Sequence, residues 1–177
     1  MKTKVFNAEV LYPDEQIVKV DQQDIAFLKE QASHNPRQRI RLCAHRDVAD
    51  TLHEMLIIHA KNTYVRPHKH VGKSESFHVI EGIVDVVLFD EAGAVTDVIK
   101  MGEYASGRRF YYRISDPLYH TLLIRSEVLV FHETTNGPFK REDMIFAAWA
   151  PDENDQAARD SFINHLEDTV ATFTPSE

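Results

Sequence analysis

The sequence predicts a mainly β chain with a helix toward each end, and three patterns carry that prediction. Between about residues 39 and 135 the chain runs in short segments rich in Val, Ile, Leu, Phe and Tyr, separated by turn residues. Before them, "VDQQDIAFLKEQASHNP" spaces Ile25, Leu28 and Ala32 near the period of one helical face. After them, "PDENDQAARDSFINHLEDTVATF" does the same with Ala158, Phe162, Leu166 and Val170, an amphipathic helix. The expected organisation is a single domain in three parts: an extension with a helix over 1–38, a β region over 39–150, and a C-terminal helix packed on it over 151–177.

In chain order, Asp21 is a capping residue for the first helix and Pro36 ends it. The β segments that follow include "EMLIIHA", "SFHVIEG", "IVDVVLFD", "AVTDVIKMG", "RRFYYRI" and "TLLIRSEVLVFHE". "FDEAGAV" supplies Asp90 and Gly93 for a tight hairpin between two of them. No repeat or low-complexity segment interrupts the series.

A length of 177 residues suits one core with peripheral additions. The single cysteine, Cys43, rules out an internal disulfide framework and fits a reducing compartment, so the cytoplasm is the expected location. "MKTKVFNAEVLYPDE" has no apolar signal segment, and no later run approaches the length of a membrane span. The net charge of −8 argues against non-specific binding of nucleic acid, because a polyanion meets repulsion over most of the surface. Basic residues nevertheless flank the two segments that bear the chemistry, with Arg66, Lys69 and Lys73 around the first and Arg108, Arg109 and Arg113 before the second. An anionic small-molecule substrate is expected from them.

The chemistry begins in "RPHKHVGKSESFHVIEG". On a strand, side chains alternate, so His68 and His70 point to the same side and their imidazoles can converge on one ion. "VGKS" offers a turn at Gly72, and Glu75 opens the next strand, placed to add a carboxylate from the same side, so that one hairpin would supply three ligands. Phe77 and Val79 share the face of Glu75, whereas His78 lies on the other face and is disfavoured as a ligand. "SDPLYHTLL" then offers His120, which would reach the ion from an opposite wall. Three neutral imidazoles and one carboxylate suit one divalent transition ion such as Fe, Mn, Ni, Co or Zn.

The spacing His68-x-His70, four residues, Glu75, six residues, Gly82 resembles the first metal-binding motif of the cupin superfamily, and His120 sits where the second motif supplies its histidine. "YVRPHKH", "VVLFDEAGAVTDVI", "NGPF" and "WAP" resemble, more narrowly, the WbuC-type cupin-fold metalloproteins, over roughly residues 20 to 152. That resemblance implies a jelly-roll β-barrel holding a metal on His68, His70, Glu75 and His120, and a setting in surface polysaccharide (O-antigen) biosynthesis. The sequence departs from the general pattern at Asn62, where the first motif has a glycine and where asparagine tolerates the same left-handed backbone. It departs again at Ser115, Pro117 and Ile124 in the second motif.

Other residues have plainer readings. His59 and His132 lie in apolar strands as hydrogen-bonded core or supporting histidines, Cys43 is a small buried hydrophobe, and Tyr112 lines the interior beside Phe110 and Ile114. Three classes of function remain open. The leading one is a metal-dependent enzyme of isomerase or oxygenase type, acting on a small anionic sugar or organic acid. The others are a non-enzymatic metal-dependent binder and a metal-free sugar epimerase or isomerase using His and Tyr. A homodimer is expected, since such sheets leave edges and faces that commonly pair.

Overall fold

The structure, a computed structural model, describes residues 1–174. Its elements in order are β1 (Thr3–Asn7), β2 (Val10–Pro13), α1 (Gln22–His34), β3 (Arg39–Cys43), β4 (Leu52–Ala60), β5 (His68–His70), β6 (Glu75–Glu81), β7 (Ile83–Phe89), β8 (Val95–Gly102), β9 (Tyr111–Ile114), β10 (Tyr119–Ile124), β11 (Val128–Asn136), β12 (Met144–Phe146) and α2 (Gln156–Thr172). The strands form a seven-stranded sheet in the order β1-β2-β3-β4-β11-β6-β9 and a five-stranded sheet in the order β12-β5-β10-β7-β8. Among the described residues no helix is long and apolar enough to cross a membrane.

The period of two in each strand decides what lies between the sheets. Met55 and Ile57 of β4, Phe77 and Val79 of β6, and Phe131 of β11 face Val84 and Val86 of β7 and Leu122 and Ile124 of β10, forming the main core. The opposite faces are covered by the helices. α1 lays Leu28 and Ala32 on Ile40, Leu42 and Ile58, and α2 lays Leu166 and Val170 on Val87, Phe89 and Leu123. Strands β7 and β10 are therefore covered on both sides, which is why they read as nearly unbroken apolar runs. The exception, Asp85 on β7, meets Arg125, which also bonds Glu167 of α2 and so ties that helix to the sheet.

Asp21 caps α1 as expected, accepting from the backbone N–H groups of Gln23 and Asp24 while the Asp24 carboxylate accepts from the Asp21 N–H. The β7–β8 hairpin closes on Asp90, whose side chain accepts from the N–H groups of Ala92 and Ala94, with Gly93 at φ 92°. Strands β1 and β2, at the start of the chain, and the short β12 were not legible in the sequence.

The expected jelly-roll β-barrel is not what the chain forms: neither sheet closes, and the architecture is a mixed one of two open sheets with helices toward both ends. The reason lies at the edges. On one side β8 meets the segment leading into β9 through a single bridge, Met101 with Arg109, because the chain between them turns through a tight helical turn at Tyr104–Ser106 and left-handed Gly107. On the other side β12 has three residues, while the larger sheet continues away through β3, β2 and β1. A closing ladder needs long facing rows of N–H and C=O groups, and these edges do not offer them. A further difference is local: Gln38 at φ 51° is the non-glycine residue with left-handed backbone among the described residues, and Asn62 is not.

Candidate metal centre

The motif residues meet, but by a route different from the one their spacing suggests. β5 and β6 are not a hairpin: the turn at Gly72 (φ 69°) carries the chain from the smaller sheet to the larger. β5 pairs instead with β10, in a register that places His120 directly opposite His68, and with β12. His120 thus stands on the same sheet as His68 and His70. Glu75 is the residue that comes from across the interior.

The three imidazoles cluster tightly, each offering a nitrogen within 4.8 Å of the others'. Glu75, buried at the start of β6, brings Oε2 to 3.1 Å from His70 Nε2 and Oε1 to 3.6 Å from His120 Nε2. The other ring nitrogens of two of these histidines are engaged. His68 Nδ1 lies 2.9 Å from the Arg66 carbonyl and His120 Nδ1 lies 3.0 Å from that of Leu118. A carbonyl only accepts, so each Nδ1 carries the proton and each Nε2 presents a lone pair to the centre. Histidines that bind metals are oriented in this way. The donor set therefore fits a divalent transition ion, and the His68, His70 and His120 cluster could coordinate one.

The electrostatics agree. Burial, followed by the neighbouring His120 and His70, pushes His68 down to about 3, so its ring is neutral at ordinary pH. Burial alone would raise Glu75, but the surrounding imidazoles of His120, His70 and His68 outweigh it and hold the carboxyl below its usual range. Burial also works against protonated His70, and there the Glu75 hydrogen bond prevails and the ring is raised. A neutral His68 beside an ionised Glu75 is what a cation needs, whereas the proton that Glu75 favours on His70 is one an incoming ion would displace.

The cluster lies in a cavity of about 210 Å³ between the sheets. Three of its residues went unrecognised in the sequence. Tyr112 on β9 donates to Glu75 Oε1 at 3.0 Å, so it is more than interior lining, and burial beside that carboxylate holds its hydroxyl well above the ordinary tyrosine range as a neutral donor. Glu133 on β11 shares the cavity, where burial and Glu75 hold it above the usual carboxylate range. Arg41 on β3 lines the same space. Each carries the inward parity of its strand, but nothing in sequence alone says which inward positions border a cavity rather than a packed core.

The basic residues flanking the motifs do less than expected. Arg66 borders the cavity but bonds Asp152 and the Ala150 carbonyl, and Lys69 pairs with Glu91. Lys73 donates to the Pro138 carbonyl at 2.7 Å. Arg108, Arg109 and Arg113 do not border the cavity. His78 is exposed on the outer face, and His132, 3.9 Å from Glu54, is likewise outside the centre. His59 is buried edge-on to Phe131, where burial, then Arg39 and Arg41, push it down to about 3. Cys43 is buried in the core.

A family model described as a domain of unknown function (DUF6016) matches residues 20–101. No curated protein matches the sequence. Among solved structures, the chain is similar to the Shewanella oneidensis protein SO0799, at 10% identity and TM-score 0.49, covering 75% of this chain and 81% of that one. It is similar to a mutant of the Bacillus subtilis oxalate decarboxylase OxdC at 18% identity and TM-score 0.45, covering 56% of this chain but only 25% of that one. It is also similar to the cupin domain of Schizosaccharomyces pombe Cnp3, at 10% identity and TM-score 0.44, covering 56% and 64%. One of the three is thus named a cupin domain, and none is tied to the WbuC type.

Proposed function

We propose that this chain is a cupin-class metalloprotein that binds one divalent transition ion through His68, His70, Glu75 and His120 and uses it in an enzymatic reaction on a small anionic substrate. The observation that supports this most is the convergence of two backbone-oriented imidazoles, a third imidazole and a buried carboxylate at the wall of a cavity. Four protein ligands leave up to two positions of an octahedron for a ligand. Such an ion supplies Lewis-acid or redox chemistry, consistent with isomerase or oxygenase activity. The chain's own residues prepare the ground: Tyr112 fixes the orientation of Glu75, and Glu133 adds a second carboxyl group to the cavity.

Size narrows the substrate. Sites for drug-sized ligands run from about 300 Å³ upward, and this cavity is about 210 Å³. A small organic acid or sugar acid suits it better than a whole sugar nucleotide. The setting in polysaccharide biosynthesis follows from the sequence resemblance to WbuC-type proteins alone, as the cytoplasmic location follows from cysteine usage. The assembly we propose is a homodimer, to be checked by light scattering.

The test is to load metal-stripped protein with Co(II) and titrate it with oxalate while recording the electronic spectrum. A saturable change supports a ligand-accessible ion. A tetrahedral spectrum that no added acid alters, in protein that unfolds when stripped, would make the ion structural.

A further inference from the structure

The geometry points to Arg41 as the residue that selects the substrate, by holding a second carboxylate at the far side of the cavity from the metal cluster. This rests on the proposed function and narrows it to short-chain acids with a chelating head and a distal carboxylate. Five cations border the cavity: Arg39, Arg41, Arg66, Lys73 and Lys140. Arg39 is held by Glu9 and Glu153, Arg66 by Asp152, and Lys73 by the Pro138 carbonyl with Asp143 at 3.5 Å. Lys140 is exposed at the rim.

Arg41 differs from all of these. It is partly buried on the inward face of β3, and among the described residues its guanidinium has no carboxylate within ion-pair distance. The polar contact of its side chain is the Met55 sulfur, 4.0 Å from Nη1. A guanidinium taken partly out of water with its fork of donors unengaged is costly unless something meets it, and a carboxylate meets it bidentately. Glu133 borders the same space and feels the Arg41 charge, but the two make no ion pair within 4.0 Å.

Position sets the ligand's length. In the order β3-β4-β11-β6, three strand spacings separate the strand of Arg41 from that of Glu75, about 14 Å at ~4.8 Å each, and the register sets Arg41 level with Val79, so that Glu75 lies about 13 Å further along the strand direction at ~3.3 Å per residue. Arg41 leans across one of them toward Met55 on β4. Met55 is level with Phe77, so two strand spacings and two residues remain to Glu75, about 12 Å, which a short diacid spans together with its coordinating and hydrogen-bonding contacts. A monocarboxylate of the same head would fill the metal side and leave the fork unmet.

Calorimetric titration with malate and with 2-hydroxybutyrate isolates the effect, since the two share a hydroxy-acid head and differ in the distal carboxylate. The titrations are run on metal-loaded and metal-stripped protein. The wild type is expected to bind malate about 10- to 100-fold more tightly, the range for a hydrogen-bonded charged group. Arg41→Gln should bring that ratio close to one while metal content and 2-hydroxybutyrate affinity stay as they were. Arg41→Lys, which keeps the charge and loses the fork, should fall between, and Lys140→Gln should leave the ratio standing. A wild-type ratio near one, no heat from either acid, a ratio that survives Arg41→Gln, or an equal loss in Lys140→Gln would each overturn the assignment. The metal reading fails separately: if the ratio holds but neither acid alters the Co(II) spectrum, Arg41 keeps its role and the open ion does not.

Discussion

His68 and His120 face each other across the β5–β10 ladder, with their rings 4.6 Å apart. This pairing puts three imidazoles on the smaller sheet and leaves Glu75 as the ligand candidate on the larger one. An ion held by all four would fasten one sheet to the other, and several consequences can be measured.

Metal should protect β5 more than the helices. β5 is three residues long, has a single register pair with β10, and on its other side pairs only with the equally short edge strand β12. An ion that binds only the folded state adds about 2.7 kcal/mol when present at a hundred times its dissociation constant. Hydrogen exchange should slow in segments covering β5, the start of β6 and β10 when stripped protein is reloaded, with α1 little changed. Stripped protein should remain folded, because the main core of Phe77, Phe131, Val84 and Val86 does not include the centre.

Tyr112→Phe removes the hydroxyl that donates to Glu75 and leaves the ring stacked on Phe77. Loss of such a supporting bond typically lowers metal affinity about 10- to 100-fold. Competition with a chelator should show that loss alongside a nearly unchanged unfolding temperature. Wild-type affinity in Tyr112→Phe would mean that Glu75 needs no such anchor.

That His68 and His70 share one side of a strand was legible because alternation acts over a few residues, and so were Asp21 as a cap and Asp90 with Gly93 as a turn; Glu75 joins them, but not through the hairpin its spacing suggested. What was not legible depends on pairing between distant segments. Whether the turn at Gly72 folds back into a hairpin or crosses to another sheet is decided by the partners of β5, and these, His120 on β10 and Met144–Phe146 on β12, lie far along the chain. Barrel closure likewise depends on edge lengths set by β12, β1 and the turn before β9. Arg41 carries no local signal at all, since its character comes from lacking the partners that Arg39, two residues earlier, possesses.

Buried His59 should make the protein acid-sensitive. Its folded value is pushed from 6.5 to about 3, so below about pH 6.5 the unfolded chain takes up a proton that the folded one refuses. Above that pH the ring is neutral in both states and adds no pH dependence, and stability falls as pH drops from about 6.5 toward about 3, by up to about 1.4 kcal/mol per unit. In stripped protein, where buried His68 adds a like contribution, His59→Leu should lessen this fall, with the two profiles differing by about 2 kcal/mol at pH 5 relative to pH 7. Parallel urea-unfolding profiles from pH 7 to 5 would show that His59 is not responsible.

Elemental analysis of protein purified without added metal, repeated on His70→Ala, His120→Ala and Glu75→Ala, bears most directly on the centre. About one divalent transition ion per chain is expected in the wild type, with occupancy falling sharply in each variant, including Glu75→Ala on the opposite sheet. A wild type that holds no such ion even after reloading, or occupancy that persists undiminished in both His120→Ala and Glu75→Ala, would contradict a centre built between the two sheets.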